Sequence, residues 1–80
     1  MDRNRLQDAL VKVELEIAAT QARLQRLREN IKLLERNGGN TEAPSDLMTK
    51  NAAALWRLIE HRERLVTRAR QRFAIRRNGH

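Results

Sequence analysis

The sequence predicts an all-α protein, an antiparallel two-helix coiled-coil hairpin that dimerises into a four-helix bundle, and three observations carry that expectation. Across residues 6–34 the apolar side chains Leu6, Leu10, Val13, Ile17, Leu24, Leu27, Ile31 and Leu34 recur in strict alternation of four and three, with Thr20 at the one step that lacks an aliphatic residue. A run of turn-forming residues, Asn37-Gly38-Gly39-Asn40, breaks the chain near its middle. The composition, 40% hydrophobic and 34% charged with three glycines and one proline, is that of long helices, not of a sheet or a disordered chain. At 80 residues one small domain is expected, and a single core of that size is marginal. With no cysteine there is no disulfide or thiolate metal site to staple it, so a second copy is the staple left.

The first helix is expected over about 3–37. Asp2 or Asn4 caps its free amides, and Gln7 stands three residues after Asn4 in a capping-box arrangement. Asn37-Gly38-Gly39-Asn40 then supplies residues that tolerate the left-handed backbone of a helix stop. A second apolar strip, Val11, Leu15, Ala18 and Ala22, runs along the side away from the seam and ends where Arg26 and Glu29 take the same positions. The first half of this helix is therefore apolar on two faces. One face covers a helix of the same chain, and the other is a candidate interface between chains, with the small Ala18 and Ala22 allowing close approach.

The connection is expected over about 38–45, with Thr41 or Ser45 as cap and Pro44 tolerated only in a first helical turn. A connection this short favours antiparallel neighbours. The second helix is expected over about 46–77, starting somewhere between Thr41 and Asp46 and stopped by Asn78-Gly79. Leu47, Met48, Ala54, Leu55, Leu58, Ile59, Leu65, Val66, Ala69 and Phe73 share one broad arc, interrupted by Asn51 and Arg62. Trp56 lies off that arc near Ala52 and Ala53, and joins the candidate oligomer interface.

Folding the second helix back places Leu24 level with Leu58, Leu27 with Leu55, Ile17 with Leu65, and Thr20 with Arg62. A guanidinium within an apolar layer must be paired. The expectation is a buried polar layer of Thr20 and Arg62, with Glu16 and Gln21 as acceptors, that fixes register or oligomeric state, and the alternative is an Arg62 that carries its head group to the edge of the bundle.

The chain carries 17 Lys+Arg against 10 Asp+Glu, a net charge of +7, and the excess is concentrated in its second half. Arg57, His61, Arg64, Arg68 and Arg72 share one flank of the second helix, a candidate polyanion-binding row able to meet successive phosphates. No aromatic residues interleave with it for stacking on single strands. His61 and His80 without cysteine make no metal cluster, Ser45 is explained by capping, and no phosphate-binding glycine loop follows a strand. Neither catalysis nor a cofactor is expected. No apolar run reaches the roughly 18 residues of a membrane span, and Met1-Asp2-Arg3-Asn4-Arg5 lacks the apolar core of a signal peptide, so a soluble cytoplasmic protein is expected.

Leu34-Glu35-Arg36-Asn37-Gly38, Thr41, Leu47-Met48 and Arg62-Glu63-Arg64-Leu65 resemble a family of small uncharacterised proteins of rhizobia and related alphaproteobacteria. That family shows an L-E-R-D-G stretch, a threonine in the turn, paired aliphatics and R-D-R-L at the same separation. The likeness spans residues 33–65; Asn40 and Pro44 depart from the usual turn, and Leu58 stands where the family often has histidine. The resemblance implies a helical hairpin and no particular activity. The functional expectation is a small non-enzymatic interaction module that self-associates as a homodimer, with a further protein partner possible. The alternative is a dimeric hairpin that binds RNA or DNA through its arginine-rich flank, and attachment to an anionic membrane surface ranks third.

Overall fold

The computed structural model describes residues 2–78, with side chains for residues 4–71. Within those residues the chain is all-helical: α1 (Asp2–Arg36) and α2 (Glu42–Asn78) pack against each other as a hairpin. The molecule is a rod of 67 × 16 × 14 Å. Its core is a narrow file made of the seam residues Val13, Ile17 and Leu24 of α1 with Leu65 of α2, and Thr20 is buried among them.

Both ends of the connection follow from residue chemistry. Gly38 takes φ +69°, the left-handed conformation that side chains with a Cβ resist. The Gly38 amide donates to the Glu35 carbonyl at 3.3 Å and the Gly39 amide to the Leu34 carbonyl at 2.7 Å, the paired bonds of a Schellman stop. At the start of α2 the Ser45 amide donates to the Thr41 carbonyl at 3.0 Å, and the Glu42 amide donates to the Asn40 side-chain oxygen at 2.9 Å. Thr41 is thus the half-in flanking residue and Pro44 the third helical position. There its missing N–H costs nothing, because the first four amides of a helix have no partner within it. Pro44 also removes one of the amides a threonine cap would use, and Asn40 supplies a side-chain acceptor to the first turn instead.

This early start changes the register. Taking residues 42–45 into the helix adds a full turn to α2, so each later residue lies farther from the turn along α1. Leu55, Leu58 and Ile59 pack against the cluster of Val13, Ile17 and Leu65. Leu58 and Leu55 lie roughly 10 and 15 Å back along α2 from Leu65, so the partners within their reach are on α1. The expected levels of Leu58 with Leu24 and of Leu55 with Leu27 are therefore displaced toward the start of α1, while Leu65 does share the cluster of Ile17, together with Val13.

Candidate functional site

The expected polar layer does not form as a layer. Thr20 is only 4% exposed, and its hydroxyl donates to the carbonyl of Glu16, one turn back in its own helix, at 2.8 Å. It needs nothing from α2. Asn51 does the same, its amide nitrogen donating to the Leu47 carbonyl at 2.8 Å, and Thr49 bonds the Ser45 carbonyl at 3.1 Å. Arg62 keeps 31% of its side chain in solvent and carries its guanidinium to the edge of the rod. There Nη1 lies 3.5 Å from a Glu14 carboxylate oxygen and Nη2 lies 3.7 Å from one of Glu63. Glu16 contributes only its backbone carbonyl, and the side chains of Glu16 and Gln21 are exposed. The shifted register explains the exchange, because Arg62 now lies level with the Glu14 region. The partner acids were visible in the sequence as near neighbours of the seam, but only the correct register selects Glu14.

The second face of α1 is open. Val11 and Leu15 are exposed, Leu15 at 67%, and Ala18 and Ala22 are exposed with them. Trp56 is 66% exposed and belongs to α2, the other helix. Leu33 and Leu47 are exposed as well, near the turn. Leu33 extends the α1 strip beyond Arg26 and Glu29 at helical spacing, a continuation the sequence pattern carried but the expectation omitted.

Arg57, His61, Arg64 and Arg68 are all exposed along one flank of α2. The Arg72 side chain, the remaining member of that row, lies outside the described residues, as do the side chains of Phe73, Arg76 and Arg77 and the whole of His80. Among the described residues, no group of three or more His, Asp or Glu side chains is placed to hold a metal ion, and no helix is long and apolar enough to cross a membrane. Compared with family models, with curated proteins and with solved structures, the chain finds no match.

Proposed function

We propose that this protein is a non-enzymatic interaction module, an antiparallel coiled-coil hairpin that pairs with a second copy of itself through the outer face of α1. The observation that carries the reading is the order of the exposed strip: large, large, small, small, in Val11, Leu15, Ala18 and Ala22. Two such strips running in opposite directions about a two-fold axis set Val11 level with Ala22 of the second copy and Leu15 level with Ala18. Every large side chain then meets a small one, which is the self-complementarity a two-fold interface requires. Charge supports the same register. Asp8 and Arg26 flank the strip on one side and at its two ends, both exposed, so each Asp8 comes level with Arg26 of the other copy.

Because this strip lies on the far side of α1 from the seam, the four helices would lie side by side, flatter than a bundle around a shared core. Trp56 would stay outside the contact. Sedimentation equilibrium across a concentration series tests the reading. The expected result is twice the chain mass for the native protein and the single-chain mass for Ala18→Glu, with helix content unchanged. A native protein that sediments as one chain throughout would overturn it.

A further inference from the structure

We infer that one long side of the hairpin is a binding face for the phosphate backbone of double-stranded nucleic acid, built by both helices and not by the α2 row alone. The Arg62 contacts fix which flanks meet. Glu14 directly follows the seam residue Val13, and Glu63 directly follows Arg62. In two helices that run in opposite directions, flanks of this like kind fall on the same side of the pair. The residues that directly precede seam positions therefore line the opposite side.

On that side stand Lys12 and Arg23 of α1, ahead of Val13 and Leu24, and Lys50, Arg57, Arg64 and Arg68 of α2, ahead of Asn51, Leu58, Leu65 and Ala69. All six are exposed. Two acids share that side, Asp8 ahead of Ala9 and Glu16 ahead of Ile17, offset by the further cations Arg5 ahead of Leu6 and Arg26 ahead of Leu27, and His61 sits at the centre of the α2 row. Meanwhile Arg62, the seam cation among the described residues, is drawn to the other side by two carboxylates. The rod is thus electrically two-sided, with its excess positive charge on one face.

The dimensions select the ligand. From Lys50 to Arg68 the row spans roughly 27 Å, about eight base-pair steps of a duplex. The backbone of the pair of helices measures 16 × 14 Å across, too wide for a major groove of about 12 Å, so the hairpin rests across the phosphates and does not read bases. Among the described residues the face has no aromatic side chain to stack on unpaired bases, which favours a duplex over a single strand. The face exists in each hairpin, so the inference does not depend on pairing between copies.

Fluorescence anisotropy with a labelled mixed-sequence duplex of about 20 base pairs, as DNA and as RNA, provides the test, and contacts to about six phosphates give a log–log salt slope near −5. Arg57→Glu/Arg64→Glu/Arg68→Glu is expected to weaken binding by roughly a hundredfold, as loss of three phosphate contacts implies. The corresponding Lys triple should stay within about threefold of native, because a point charge suffices at a phosphate. Arg28→Glu/Lys32→Glu/Arg70→Glu makes the same change in net charge on the opposite side and should have a small effect. Binding of either duplex with this pattern supports the face. Equal losses from the two Glu triples, tighter binding to the single strand, absence of duplex binding, or preferential capture by phosphatidylserine vesicles would each overturn it. Circular dichroism and the sedimenting mass of each variant separate these outcomes from misfolding or loss of pairing.

Discussion

Thr20 shows how a polar residue can be buried in a helical seam with its hydroxyl satisfied inside its own helix. Its hydroxyl is satisfied by the carbonyl one turn back, so burial leaves no orphaned group and asks nothing of the opposing helix. Such a bond adds little, since the carbonyl already serves the helix ladder, and an apolar isostere of similar shape removes the hydroxyl at no desolvation cost. Thr20→Val should therefore leave stability within about 0.5 kcal/mol of native or raise it, read as the urea midpoint at constant slope. A loss of 2 kcal/mol or more would mean that the hydroxyl has a partner across the seam. Arg62 is different in kind: its stem covers the seam while its charge stays at the wet edge, where ion pairs contribute about 1 kcal/mol at most. Arg62→Leu is expected to retain the hairpin and change stability by no more than about 1 kcal/mol, with the change shrinking as salt screens the native pair. A collapse of helix content on that substitution would show the charge to be indispensable.

At the scale of the elements, the alternation of four and three made α1 and its buried face legible, and the seam positions Val13, Ile17, Thr20 and Leu24 are the buried residues of α1 among those described. The stop at Gly38 was legible too, because few residues other than glycine take the left-handed turn there. Gly38→Ala should cost about 1 kcal/mol, and Gly38→Asn less, since asparagine tolerates that conformation better. Equal midpoints for the three proteins would remove the φ argument. The start of α2 was not legible to the residue, because Pro44 is compatible with any of the first helical positions and so cannot choose among them. That ambiguity of one turn propagated into the register and from there to the wrong acids for Arg62. The open strip on α1 was visible as a pattern, whereas its large-to-small order gains meaning only once its exposure is known. For the proposed pairing, Asp8→Arg alone should weaken the dimer several-fold, and Asp8→Arg with Arg26→Asp should recover it. Failure of the exchange to recover affinity in sedimentation would place the contact elsewhere.

The whole molecule is a rod without one fully buried large side chain among its described residues, so little apolar surface is hidden within a single copy. If two copies share the outer face of α1, the melting temperature should climb with protein concentration, because mass action couples folding to pairing. A concentration-independent melt would point to a hairpin that stands alone. The position of the core has a separate consequence for motion. Val13, Ile17, Thr20, Leu24 and Leu65 hold the rod near its waist, while the turn and the opposite end rely on half-covered side chains. A structure clasped at its waist opens outward from both ends like two independent zips. Amide hydrogens of residues 13–24 should then be the last to exchange with deuterium, with protection falling toward each extremity, whereas uniform protection would mean that the rod opens only as one cooperative unit.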